Sequence, residues 1–118
     1  MAEIHIFARA RDRVAVQAGE VIFSQGDTGD AMYAVLDGAV DISVGETAIE
    51  TIGPNGIFGE LALVDASPRS ATAIARVESE LARVDRREFT FLVQEHPTFA
   101  LQVMQVLADR IRRANESR

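Results

Sequence analysis

The sequence predicts a mainly β protein with flanking helices: an eight-stranded antiparallel β jelly-roll barrel followed by a short helix and a longer C-terminal helix. Two observations carry this. Between residues 14 and 52, short apolar runs alternate with glycine-bounded turns, the spacing of a small barrel. After Asp85 the apolar period becomes that of helices.

Residues 1–13 form an arm in which Ile4, Ile6 and Phe7 suit a short helix or an extended piece tucked onto the body. Strands are expected at 14–16, 21–23, 32–36, 39–44 and 47–52. They are separated by Gly19-Glu20, a turn over 25–30, a hairpin at Asp37-Gly38 and a turn at Gly45-Glu46. Residues 70–75 and 81–84 bring the runs to seven, close to the eight strands expected of two packed antiparallel sheets over residues 14–85. Helices follow in 86–118. The first shows Phe89, Leu92 and Val93 on one face, and His96-Pro97 breaks it. The second starts at Pro97 or Thr98, where proline is tolerated, and runs to Ala114. Its apolar positions Ala100, Met104, Leu107, Ile111 and Ala114, widened by Phe99, Val103 and Val106, pack on the barrel and leave a seam for a partner.

Length and composition bound the function. A chain of 118 residues is one domain, large enough for a single core. With 47% hydrophobic and 25% charged residues it is an ordinary globular composition. The absence of cysteine removes disulfides, thiolate metal sites and thiol nucleophiles. No run approaches a membrane span and residues 1–13 carry charges throughout, so a cytoplasmic location is expected. The net charge of −6 argues against a free-standing nucleic-acid binder. Arg110, Arg112, Arg113 and Arg118 are the local exception, and at helical spacing they suit a solvated helix end that complements the dipole. Overall acidity does not prevent binding of one anionic nucleotide, because charges beyond about 8 Å are largely screened at physiological salt.

The chemistry concentrates in residues 58–73, FGELALVDASPRSATA. Gly59 lets a backbone approach a ligand, and a short helix over 60–64, anchored by Leu61 and Leu63, aims first-turn N–H groups at an anion. Arg69 is then delivered beside it. Glu60 offers only acceptors, which suits a sugar hydroxyl, whereas Arg69 offers a planar fork of donors matching two phosphate oxygens. The competing arrangement pairs Glu60 with Arg69 across the loop. An enzyme is not expected. A cupin-like metal site needs several inward histidines or carboxylates, and the chain has only His5 in the arm and His96 before Pro97. Ser70 has no base nearby in sequence.

Phe58-Gly59-Glu60-Leu61-Ala62-Leu63, followed by Pro68-Arg69-Ser70-Ala71-Thr72-Ala73, resembles the phosphate-binding cassette of the cyclic nucleotide-binding domain family. That family includes the catabolite activator proteins, the regulatory subunits of cAMP-dependent kinase and the cyclic nucleotide-gated channels. The resemblance implies the same jelly roll and a cyclic nucleotide, cAMP or cGMP, held by Gly59, Glu60, Leu61, Ala62, Arg69, Ser70 and Ala71, with no metal or other cofactor. It also implies that Asp30, of the pair Gly29-Asp30, sets its acid against Arg69, and that the last helix is a lid. In some bacterial channel relatives an arginine of that helix packs over the purine, and counting from Pro97 the matching residue is Arg110. Ser70 favours cAMP on resemblance, although its hydroxyl also suits the guanine amino group. Family members usually carry a longer N-terminal helical bundle than this arm. The chain reaches only as far as the lid helix, so output is expected to pass to an effector protein in trans or to a homodimer through that helix. The alternative is an interaction scaffold that kept the fold and lost the ligand.

Overall fold

Strand β3 spans Ala31–Asp37 and is buried along nearly its whole length, with no alternation of buried and exposed residues. In the computed structural model, which describes residues 6–65 and 67–116, the reason is that both faces of its sheet are covered. Before β3 come a 3-10 helix at Ile6–Arg9, β1 at Arg13–Val16 and β2 at Val21–Phe23. After it come β4 at Val40–Val44, β5 at Thr47–Ile52, β6 at Ile57–Phe58 and the one-turn helix α1 at Leu61–Val64. The chain continues as β7 at Thr72–Ala75, β8 at Ser79–Asp85, α2 at Arg86–Glu95 and α3 at Pro97–Glu116.

The strands form two four-stranded antiparallel sheets, ordered β1-β8-β3-β6 and β2-β7-β4-β5. The arrangement is jelly-roll-like, as expected, but the barrel is not closed. Edge strands β2 and β6 are three and two residues long, too short a ladder to bridge the corners. β6 is also the strand that sequence periodicity does not reveal, since two residues carry no period. Ser70 and Ala71, expected in a strand, precede β7 as irregular chain.

Two apolar layers result. Val16, Val35, Val40, Ile52, Phe58 and Leu81 fill the space between the sheets. Met32, Ala34, Ala82 and Val84 point the other way, onto Phe7 and onto Phe99, Val103 and Val106 of α3. Phe7 lies edge-on to Phe99 at 5.6 Å between centroids and Ile6 packs on the same core, whereas Ile4 lies outside the described residues. His5 and Arg118 lie outside the described residues. Asp85 caps α2 by accepting from the Glu88 N–H at 2.8 Å, and the α2 helix ends at His96, whose N–H donates to the Leu92 carbonyl.

The inward face of α3 is Phe99, Val103 and Val106, with Ala100 and Leu107 half-buried. Met104 and Ile111, expected on the packing stripe, are exposed together with Leu101. The helix carries two apolar faces and only one meets the sheet. Among the described residues, no helix is long and apolar enough to cross a membrane.

Candidate functional site

The segment from β6 to β7 wraps one end of the β2-β7-β4-β5 sheet. β6 ends at Phe58, and Gly59 takes φ +78°, a left-handed conformation open to glycine at little cost. A Cβ at Gly59 would also stand 2.8 Å from Arg69 Nη1 and 3.2 Å from Phe23 Cε2, so the position is constrained twice over. Glu60 then occupies the N-cap position of α1 and is only 5% exposed.

Arg69 is buried and its backbone is zipped to the β2–β3 turn. Its N–H donates to the Asp27 carbonyl at 2.8 Å, and its carbonyl accepts from the Gly26 N–H at 2.8 Å. Nη1 donates to the Gly59 carbonyl at 2.9 Å and Nη2 to the Ala31 carbonyl at 2.7 Å. The guanidinium carbon lies 4.0 Å from the centroid of the Phe23 ring, a cation–π contact. Against another side is Gly29, where a Cβ would fall 2.3 Å from Nε and 2.5 Å from Cζ. Nε is left as a buried donor with no acceptor. Burial pushes the guanidinium below its ordinary pKa, while the fields of Tyr33, Asp30, Glu60 and Asp27 act in the opposite direction. A desolvated cation with an unused donor is a place where an anion gains free energy.

Asp30 is not set against Arg69, which corrects the expectation. Its carboxylate accepts from Arg83 Nη2 at 3.1 Å and its side chain is 86% exposed. The reason is strand register. Asp30 stands just before β3, and the β3–β8 pairing that sets Arg83 opposite Tyr33 brings the Arg83 guanidinium to its carboxylate, while the neighbouring Ala31 gives its carbonyl to Arg69. Asp30 acts on Arg69 only through its field.

Arg110 is not a solvated helix-end cation. From α3, Nε donates to Glu50 Oε1 at 3.2 Å, Nη1 to Glu60 Oε1, and Nη2 to the Ile57 carbonyl. Arg113, one turn on, donates to Glu50 Oε2 at 3.3 Å. Glu60 is therefore paired with an arginine, but with Arg110 and not across the loop with Arg69. All of these bonds use the edge of the Arg110 guanidinium, and bonds made in the plane do not engage its faces.

A cleft of about 340 Å³ joins these groups, within the range of small-ligand sites. Gly59, Glu60, Leu61, Ala62, Arg69, Ser70, Ala71 and Arg110 all line it, and Asp30 does not. Ala62 and Leu63 are buried, whereas Leu61, expected as a buried anchor of the short helix, is 46% exposed and lines the cleft as Ile49 does. Sequence reasoning missed Phe23, Gly29 and Glu50. For Glu50 a signal existed: it stands two residues before the buried Ile52, hence on the inward face of β5.

A family model described as cyclic nucleotide-binding domain matches residues 13–96. Lysophospholipase nte1 of Aspergillus oryzae is 40% identical over 109 residues, which are 87% of this chain and 7% of that protein. The CRP-like cAMP-activated global transcriptional regulator of Mycobacterium tuberculosis is 31% identical over 104 residues, 84% of this chain and 46% of the regulator. Among solved structures, the catabolite activator protein of Thermus thermophilus superposes with a TM-score of 0.81 at 32% identity, covering 90% of this chain and 52% of that one. The chain thus spans less than half the length of these two curated relatives.

Proposed function

The chain belongs to the cyclic nucleotide-binding domain family, and from that premise we propose that it is a sensor of cyclic nucleotides that takes cAMP in preference to cGMP. The observation that carries the sensor reading is Arg69, a buried guanidinium with an unused Nε whose residue lines the same cleft as Glu60, while the preference for cAMP rests on the resemblance at Ser70. A scaffold with no ligand gains nothing from desolvating a cation and leaving one of its donors unmet.

In this reading Arg69, with Ser70 and Ala71, holds the cyclic phosphate, and Gly59 admits it. Glu60 keeps one oxygen on Arg110 and offers the other to the ribose 2′-hydroxyl. The purine leans on Leu61 and Ile49, with a face of Arg110 over it. Ala62 backs the cassette from the buried side. Asp30 tunes the field at Arg69 without touching it.

Binding tightens the hold of α3 on the cleft, and the change is read through the exposed stripe Leu101, Met104 and Ile111. The reader is a second copy of this chain or an effector protein. The shift available for signalling is no larger than the difference in nucleotide affinity between the two positions of α3. No catalysis is assigned to the domain, and the lipase activity in the name of the Aspergillus relative belongs to a protein of which this chain matches 7%.

One observation favours the scaffold reading. Glu60 and two of the three Arg69 nitrogens already have partners within the chain. Calorimetric titration with cAMP, cGMP and 5′-AMP separates the two. The sensor reading expects saturable binding of cAMP, weaker binding of cGMP and little of 5′-AMP, whereas no heat with any of the three establishes the scaffold.

A further inference from the structure

Glu50 is a carboxylate in the wrong place for a sheet of this kind. β5 is an edge strand, and within it Glu50 shares the inward face with the buried Ile52. Its register partner on β4 is Ile42, itself buried. The Glu50 side chain is only 12% exposed. A charge taken out of water in this way is destabilising unless cations compensate it. The compensation comes from outside the sheet. Arg110 and Arg113, one turn apart on α3, each take one Glu50 oxygen, Oε1 by Nε at 3.2 Å and Oε2 by Nη2 at 3.3 Å. Arg110 then carries the link onward to Glu60 in the cassette and to the Ile57 carbonyl just before it.

We propose that Glu50 is a positioning residue of the nucleotide site: it anchors α3 over the cleft through Arg110 and Arg113 and thereby fixes the Arg110 guanidinium on Glu60. The inference rests on the nucleotide-sensor reading for its effect on ligand, although the anchor itself does not require a ligand. Three features of the geometry support it. Both Glu50 oxygens are engaged by the same helix, so the carboxylate fixes the position and the rotation of α3 together. Glu50 and Glu60 balance Arg110 and Arg113 in charge, so the phosphate charge falls to Arg69. Glu50 also lines the cleft with Ile49, so the anchor lies at the end where a base would be covered. An inward charge on an edge strand has another use, which is to discourage pairing with a foreign strand. That use asks nothing of α3.

The test uses the full chain and the variants Glu50→Gln, Glu50→Asp and Arg113→Ala, with two readouts. Hydrogen exchange without nucleotide follows the backbone amides of residues 104–116. Glu50→Gln and Arg113→Ala are expected to speed exchange there by about fivefold or more, with β3 and β8 unchanged and Glu50→Asp partly restored. Stopped-flow release of a fluorescent cAMP analogue is expected to quicken about fivefold in Glu50→Gln with little change in association rate. Adding Glu50→Gln to Arg110→Ala should add little, because both break one linkage. Unchanged exchange in α3 overturns the anchor, and unchanged exchange with increased aggregation assigns Glu50 to edge protection. If the parent binds no cyclic nucleotide, the sensor reading fails while the exchange measurement still decides the anchor. If exchange quickens but release does not, α3 is anchored without serving the ligand and the positioning role is overturned.

Discussion

At the scale of single residues, the site is organised by the needs of one guanidinium. Arg69 is buried, its plane is set by two main-chain acceptors and by the Phe23 ring, and Gly29 and Gly59 are the positions where a Cβ would crowd it. Arg69→Ala is expected to weaken cAMP binding by about 2–5 kcal/mol, roughly thirty-fold to several thousand-fold in Kd. Calorimetry on the parent and the variant measures this, and a variant within about threefold of the parent removes Arg69 from the phosphate contact. Glu60 calls for a different test because Arg110 already holds one of its oxygens. Glu60→Gln should cost about 1.5–3 kcal/mol of binding, and 2′-deoxy-cAMP a similar amount with the parent chain. The two losses should overlap in a double cycle. Full additivity would place the sugar elsewhere. The motif makes Gly59, Glu60 and Arg69 legible in the sequence because their spacing lies within one loop. It does not make Asp30 legible, because which cation a turn aspartate meets is fixed by the register between β3 and β8.

At the scale of elements, α3 decides how the pocket is covered. Its inward face of Phe99, Val103 and Val106 is held by the β1-β8-β3-β6 sheet, and its last turns reach the cleft through Arg110 and Arg113. If a face of Arg110 covers the purine, Arg110→Ala should lower affinity by about 0.5–2 kcal/mol, chiefly as faster dissociation. Stopped-flow release of a fluorescent cyclic nucleotide measures it. An unchanged off-rate would confine Arg110 to its carboxylates and leave the cover to the apolar lining residues Leu61 and Ile49. From the sequence, Pro97 or Thr98 to Ala114 reads as one amphipathic helix, but the apolar residues of α3 fall on two faces. The period alone does not say which face the sheet takes. Volume and register do: β3 and β8 present Met32, Ala34, Ala82 and Val84, a shallow surface that accepts the face carrying Phe99.

At the scale of the whole molecule, the unpaired face of α3 is where a signal can leave. Leu101, Met104 and Ile111 are exposed and spaced three and seven apart, with Ala108 half-buried between the last two, the spacing of a helix–helix seam. The parent chain is expected to sediment as a dimer and the double variant Met104→Glu/Ile111→Glu as a monomer. A parent that stays monomeric at every concentration assigns the seam to a different protein. Because α3 carries both this seam and the Arg110 linkage to Glu60, a partner bound on the seam and a ligand in the cleft would act on the same element, and whatever factor one changes in the other's affinity is returned reciprocally.

The sequence by itself determined seven of the eight described strands, the helices after Asp85 and the cassette, because glycine turns, apolar periodicity and a contiguous motif are local properties that survive in one dimension. It placed β5 and α2 to within a residue of their ends, and within 59–71 it named Gly59, Glu60, Leu61, Ala62, Arg69, Ser70 and Ala71, which line the cleft, but not Asp65, Ser67 or Pro68, which line it too, while Arg110 came through the family resemblance. Tertiary structure alone decided the rest. β6 exists only because β3 offers it an edge. The sheets stay open because their edge strands β2 and β6 are short. Asp30 meets Arg83 because β3 lies beside β8, and Glu50 meets Arg110 and Arg113 across 60 and 63 residues of chain. Those pairings depend on the free energy of packing distant segments together, which no window of sequence contains.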